Sequence, residues 1–310
     1  MDNSKIIEEK IYNRQYQKNH KDCLFLIAEL EEGGFGAMVA RRKLIFQIGH
    51  AFDRTILIKN SNRYLYDDPY TNYCQYSWEE IVKIYKRVDR FYFSEKQRSK
   101  ICYFNFTKYW NSEYKNKYQC WCDPLLDNNY LYFSGLILSQ LKIKDSYLNK
   151  INEIKGKLNF NLDTIGLHIR RGDKEKKIPI DIYMKEIKKL CEKSKINRIF
   201  VCSDSSTVFS ELKNNYEDFD FFQDSEEKKY NNANWDMVRK NRNLREQETF
   251  TAIKIIELLS SCKYIVGQHN TQFVKLAGAK LSYKVNENRL ILISCDNFKP
   301  IDFGCNSATS

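Results

Sequence analysis

The sequence predicts an α/β protein built as two Rossmann-like halves facing each other across a cleft. Three observations predict it. From Thr164 onward, apolar strand candidates alternate with helix candidates, the pattern of a doubly wound domain with a parallel sheet. The stretch from Cys23 to Ile58 shows the same logic once, as strand, glycine turn, helix and strand. The chain has 310 residues, long for one core and comfortable for two domains of ordinary size. A boundary near Gly156 gives an N-terminal half over 1–155 and a C-terminal half over 156–310.

Taken in order, the chain opens on "MDNSKIIEEKIYNRQYQKNHKD", a polar and charged lead that is not a signal peptide. "CLFLIAEL" (23–30) is a short continuous apolar run and reads as a strand. "EEGGFGAM" brings three glycines, "VARRKLIFQIGHAF" has apolar residues at helical spacing, and "RTILI" is a second strand. The middle, from about Tyr64 to Tyr130, is aromatic, polar and weakly periodic, and is expected to form loops and helices covering a sheet. "LYFSGLILSQLKIK" and "SYLNKINEIKGKL" read as helices. The second half then gives the strands "TIGLHIR", "RIFVCSD", "FDFFQ" and "KYIVGQ". Between and after them stand the helices "PIDIYMKEIKKLCEKSK", "STVFSELKNNY", "EQETFTAIKIIELLSSC" and "NTQFVKLAGAKL".

Composition narrows the class. Hydrophobic residues at 42% with 29% charged residues describe a globular protein rather than a disordered one. No run approaches the roughly 18 apolar residues that span a bilayer. A chain complete as given belongs in the cytoplasm; one trimmed of an N-terminal anchor belongs in the Golgi lumen. The excess of 51 basic over 40 acidic residues, a net +11, favours anionic partners without choosing among nucleotides, nucleic acid and acidic surfaces. Ten cysteines are too few, at this length, for a disulfide scaffold. Cys23, Cys202 and Cys262 lie in or beside apolar runs, where a cysteine packs as a small hydrophobe, while Cys74 and Cys120 fall in loop sequence. "CWC" (120–122) lacks the spacing of a zinc knuckle, and with only four histidines no metal centre is expected.

The chemistry concentrates at strand ends, where ligands bind in doubly wound folds. "TIGLHIRRGDK" (164–174) ends a strand in His168, Arg170, Arg171 and Asp173. Adjacent arginines offer planar, permanently charged forks suited to phosphate oxygens. Gly172 permits a sharp turn and Asp173 is placed to hold a guanidinium. "FVCSD" ends another strand at Asp204, with Ser205 and Ser206 able to cap the following helix. "YIVGQHNTQF" leads through His269 and Asn270 to Thr271 and Gln272 at a helix start, a natural anion site. Each feature alone is ordinary capping or surface chemistry; three such ends in one domain fit a nucleotide diphosphate. "GGFGAM", with Gly34 and Gly36, is a further turn where backbone can approach a ligand, although it lacks the "GK[ST]" of a P-loop.

"GLHIRRGDK" resembles the HxRRxDK motif of the α1,6-fucosyltransferases that modify the innermost GlcNAc of N-glycans. The rhizobial nodulation fucosyltransferases, which act on chitin oligosaccharides, are that family's bacterial branch. "GGFGAM", "RTILI", the Arg63–Tyr64 pair, "PIDIYM", "VCSD", "NRN" and "LLSSCKYIVGQHNTQFVKLA" follow the family's remaining blocks in order, from about Cys23 to Leu281. The resemblance implies a GT-B type transferase using GDP-fucose as donor, with no metal and no other cofactor.

Position by position, it implies that His168 contacts the nucleotide and that Arg170, with Arg171 beside it, meets the β-phosphate. Tyr64 would meet the nucleoside, and Thr271 and Gln272 would lie near the diphosphate. Asp204 matches the first acid of a paired-acid strand end whose second acid is Ser205 here, and the guanine-reading aspartate falls near Ile255, with Glu257 close by. Glu175, the sole carboxylate between Asp173 and Pro179, takes the place of the catalytic glutamate in a shorter loop. The expected reaction is inverting transfer of fucose from GDP-β-L-fucose to a hydroxyl, O6 by preference, of a GlcNAc-containing oligosaccharide. Two readings stand beside it: another nucleotide-sugar transferase, such as a protein O-fucosyltransferase, and a basic nucleic-acid-binding protein. The second would account for the charge but finds no helix-turn-helix, RRM or zinc-finger motif.

Overall fold

The computed structural model describes the chain apart from residues 1–2, 31–32, 61–67, 72–73, 93–98, 107–108, 110–111, 113–121, 127–128, 162, 173–175, 228, 230–233 and 302–310, and gives backbone alone at 60 and 234–236. It is an α/β structure organised on two sheets. The first contains β1 (Phe25–Leu30), β2 (Thr55–Asn60), β3 (Asp89–Arg90) and β4 (Ile101–Phe104), in the order β2-β1-β4-β3. All its pairings are parallel, with Phe25 of β1 facing Thr55 on one side and Ile101 on the other. A central parallel strand is covered on both faces, which is why its sequence is a continuous apolar run.

The second sheet has the order β10-β9-β8-β5-β6-β7. Its strands are β5 (Ile165–Ile169), β6 (Arg198–Ser203), β7 (Asp220–Phe222), β8 (Tyr264–Gln268), β9 (Leu290–Ile293) and β10 (Pro300–Ile301). Only β10 runs antiparallel. The chain winds from β5 outward through β6 to β7, then returns to place β8 on the other side of β5. That reversal makes the β5–β8 crevice the topological switch point.

In chain order the helices are α1 (Asn3–Gln15), α2 (Phe35–Ala51), α3 (Trp78–Tyr85), α4 (Tyr130–Ser139), α5 (Asp145–Lys157), α6 (Ile180–Ser194), α7 (Val208–Asn215), α8 (Asn234–Lys240), α9 (Arg245–Leu259) and α10 (Gln272–Val285). Gly156 falls in the last turn of α5. The largest hydrophobic cluster joins residues from both sheets' helices, among them Ile7, Ile45, Leu136, Leu259 and Leu281. Beside it α4 packs tightly against α10: a Cβ at Gly135 would sit 2.0 Å from the carbonyl oxygen of Ala279. Only glycine allows these helices to meet at that distance. A second cluster, with Ile165, Tyr183 and Val201, packs the other face of the six-stranded sheet. A third, with Phe25, Ile27, Leu57 and Ile81, lies under α3.

Several expectations are corrected. The polar lead contains helix α1, whose buried positions Ser4, Ile7, Ile11 and Gln15 form one narrow stripe in otherwise polar sequence. Gln15 completes the edge of β2, its amide donating to the Ile56 carbonyl at 3.2 Å and accepting the Ile56 N–H at 2.8 Å. The segment expected to hold only loops and helices supplies β3 and β4; the latter, a mere four residues, lies inside the sheet. β9 and β10 extend the second sheet beyond the last helix anticipated. The helix after β6 begins at Val208, so Thr207 rather than Ser205 or Ser206 stands at its N-cap. Cys23, Cys202 and Cys262 are buried as small hydrophobes, and Cys74 is a free thiol; Cys120 lies outside the described residues.

Candidate active site at the β5–β8 switch point

The motif strand delivers its residues as a parallel strand end should. His168 is the penultimate residue of β5, flanked by Cys202 of β6 and Gly267 of β8. Its ring is 4% exposed, and its Nδ1 has no hydrogen-bond partner. Burial lowers the imidazole pKa to about 4, with the Asp204 carboxylate pulling the other way and the Arg170 and Lys229 cations adding to the depression. His168 is therefore neutral at pH 7, a hydrogen-bonding group rather than a charge.

Beyond β5 the chain turns, and one carboxylate organises the turn. Asp204, just past β6, accepts the N–H of Arg171 at 2.7 Å and that of Gly172 at 2.8 Å. It also pairs with the Arg170 guanidinium at 3.0 Å, so it fixes the backbone and the fork together. Arg170 remains 16% exposed at the end of this turn. Arg171 is turned into the protein, donating to the Ile178 carbonyl at 2.8 Å. The residue that holds Arg170 here is Asp204. Asp173, assigned such a task from the sequence, lies outside the described residues, as do Tyr64 and Glu175.

Two helix N-termini converge on the same place. Gly34, which has no side chain, is the N-cap of α2; Thr271 is that of α10, and its hydroxyl does not cap the helix. A Cβ on Gly36 would lie 3.0 Å from the Gln272 Cβ and 3.5 Å from the Phe273 ring, so the first turns of α2 and α10 are in contact. The "GFG" turn is thus the start of α2 itself. Phe273 also neighbours His168, with ring centroids 6.3 Å apart. Thr271 is 5% exposed and its Oγ1 has no partner. The loop before it is held by its own side chains: Gln268 donates to Asn270 at 2.7 Å and accepts from the Tyr183 hydroxyl at 3.2 Å. Gly34, Gly36, His168, Thr271 and Gln272 are thereby gathered into one neighbourhood from distant parts of the sequence. Two positive helix ends and an arginine there present what a diphosphate requires.

A buried charge cluster was not foreseen. Lys254 of α9, 3% exposed, pairs with Asp224 and, at 2.9 Å, with Glu227 in the loop after β7; Lys229 pairs with Glu227 at 2.5 Å. Burial works against the Lys254 ammonium, but the two carboxylates outweigh it and its pKa lies above the ordinary lysine value. The readable signal was a lone lysine inside the apolar run "TAIKIIELL"; the partner segment "QDSEEKK" looks like a solvated charge run. Nearby, Ile255 is in the core and Glu257 is paired with Lys280 of α10. Among the described residues no group of three or more His, Cys, Asp or Glu is placed to hold a metal ion, and no helix is long and apolar enough to cross a membrane.

Against known proteins, the family description "Alpha-(1,6)-fucosyltransferase N- and catalytic domains" matches residues 124–285, more than half of the chain. Among solved structures, the chain is similar to Arabidopsis thaliana FUT1, solved as a mutant in complex with GDP. The TM-score is 0.54 and the identity 12%, over 92% of this chain and 73% of that one. NodZ from Bradyrhizobium, a fucosyltransferase, aligns with TM-score 0.45 and 13% identity over 87% of this chain and 96% of that one. POFUT1 in complex with GDP-fucose gives TM-score 0.44 and 9% identity over 87% and 96%. The HxRRxDK strand, its glycine turn and the α10 terminus all sit in this α/β frame, and the chain belongs to the α-(1,6)-fucosyltransferase family, a fucosyltransferase-like glycosyltransferase.

Proposed function

We propose that the protein transfers fucose from GDP-β-L-fucose to a hydroxyl, O6 by preference, of a GlcNAc-containing oligosaccharide, with inversion at the fucose C1. The observation that carries this reading is Arg170, held by Asp204 just past β5 and two residues from His168, whose ring neighbours Phe273 where the first turns of α2 and α10 meet. The acceptor oxygen attacks C1 from the face opposite the diphosphate. The C1–O bond breaks, and its electron pair passes to the β-phosphate. Negative charge then grows where Arg170 and the helix ends are already aimed, which lowers the barrier without reorganisation. Because those groups supply the positive charge, the reaction needs no divalent ion.

Roles follow from position. His168, neutral, hydrogen-bonds the nucleotide, and Tyr64 meets the nucleoside. Thr271 Oγ1 and Gln272 reach the diphosphate, and Gly34 and Gly36 let backbone come close to it. Asp204 is a positioning residue acting through Arg170, and Arg171 and Asp173 steady the loop. Glu175 is the general base that takes the acceptor proton. Residues 156–310 form the nucleotide-sugar domain and 1–155 the acceptor side.

The test offers GDP-fucose with chitin oligosaccharides and N-glycans in parallel, with and without excess EDTA, and reads products by mass spectrometry. A single deoxyhexose added to one acceptor class, unchanged by EDTA, is the expected result. No deoxyhexose on either acceptor class, or transfer abolished by EDTA, would overturn the assignment.

A further inference from the structure

The four-stranded sheet has a cavity of its own, at its outer edge, that the donor site does not use. It is about 570 Å³, within the ~300–1,000 Å³ typical of small-ligand sites, and is lined by Ile56–Ile58 of β2, by Asp68 and Tyr70, and by the 74–80 segment that opens α3. Gln75 and Glu79 in that lining are exposed, so the cavity opens to solvent.

Its walls are aromatic and already set. Tyr70, Tyr76 and Trp78 contribute their rings. The Arg42 guanidinium lies 5.3 Å from the centre of the Tyr70 ring, and Arg42 also grips Asp68 through two bonds of 2.7 Å. The Lys59 ammonium stands 5.1 Å from the Trp78 ring and 3.1 Å from Glu29, which also accepts the Tyr103 hydroxyl at 2.5 Å. The Tyr76 hydroxyl donates to the Gln17 carbonyl at 2.9 Å. Side chains fixed in this way lose little further freedom when a ligand arrives. Lys59, the penultimate residue of β2, reaches the cavity wall through its contact with the Trp78 ring.

The lining chemistry selects the occupant. Carboxylates accept hydrogen bonds and cannot donate them, so the ligand must bring donors. Asp68 is neutralised by Arg42 and Glu80 is held by the Ser77 N–H, while the exposed Glu79 carboxylate disfavours an anion. Ring faces favour a ligand with an apolar C–H surface. A neutral pyranose unit has both the hydroxyl donors and the C–H face. We infer that this cavity is a saccharide subsite that holds a sugar unit of the acceptor oligosaccharide, with Trp78 as its platform and Glu79 and Gln75 as hydroxyl partners. The inference rests on the transferase reading above for its link to an acceptor.

The experiment titrates tri-N-acetylchitotriose into the protein, without donor, by ligand-observed NMR and calorimetry. Wild type, Trp78→Ala and Glu79→Gln are compared, with GDP affinity measured on the same samples. Trp78→Ala should weaken chitotriose about tenfold, the scale of one lost aromatic contact, and Glu79→Gln about threefold, while GDP affinity stays unchanged. Glu79 is exposed, so its variant folds even if Trp78→Ala does not. Absence of chitotriose binding by wild type, or equal binding by wild type and both variants, overturns the subsite. Failure of the donor reading looks different: wild type would then show no turnover with GDP-fucose, whatever its affinity for chitotriose.

Discussion

The two sheets present their carboxyl ends in opposite ways. At the end of the six-stranded sheet, polar atoms are buried without partners: His168 Nδ1 and Thr271 Oγ1, close to the Arg170 that Asp204 holds. At the end of the four-stranded sheet, Glu29, Lys59 and Tyr103 satisfy one another. A buried polar atom without a partner costs roughly 1–3 kcal/mol, a cost that a ligand bonded to it would offset. The first sheet end has the polar groups that the proposed diphosphate site would use. The second is a finished wall, fit to border a ligand that brings its own donors.

The contrast breaks most sharply at the reacting group. Glu175→Gln, assayed with GDP-fucose and acceptor, should lower turnover by about 10²–10⁴-fold with GDP affinity nearly constant, since a general base contributes about that much. Normal turnover would assign the base to another residue. Arg170→Lys keeps charge and loses the fork. A charge-assisted contact of ~1.5–3 kcal/mol predicts a loss of roughly ten- to hundredfold in turnover. The matching change at the other sheet, Lys59→Arg, should leave the donor step near wild type.

Smaller effects sharpen the same comparison through stability. Gly135→Ala forces a methyl against the Ala279 carbonyl in the core shared by the two sheets' helices. Overpacking of that kind costs about 1–3 kcal/mol and should lower the melting temperature by several degrees. His168 gives a pH signature. The unfolded chain takes up a proton near pH 6.5, but the buried ring resists until about pH 4. Across that window the unfolded state binds more protons, so the stability due to a neutral His168 is complete above it and is lost as pH falls through it. His168→Gln should show a shallower decline in melting temperature between those pH values; an unchanged slope would contradict the buried, neutral assignment.

Much of this architecture is legible in the sequence, for physical reasons. β5, β6 and β8 are buried on both faces, so their apolar runs and the helices between them stand out. Strand ends with arginine, hydroxyl and amide side chains point to the candidate site because three of them fall in one domain, at the end of a parallel sheet where ligands bind. α1 is hidden because only Ile7 and Ile11 among its buried residues are apolar. β4 is hidden because four residues carry too little periodicity. The contacts of Asp204 with Arg170 and of Gly36 with Gln272 join segments far apart in the chain, and local pattern does not encode such pairings. The Lys254 cluster is missed for the same reason: its carboxylates sit in what reads as a surface charge run.

The central claim is that the end of the six-stranded sheet is a diphosphate site, and calorimetric titration of GDP against guanosine tests it most directly. Wild type should bind GDP at least tenfold more tightly than guanosine, and Arg170→Lys should remove most of that difference while leaving guanosine affinity unchanged. Equal affinity for the two ligands, or a GDP preference indifferent to Arg170→Lys, would contradict the account.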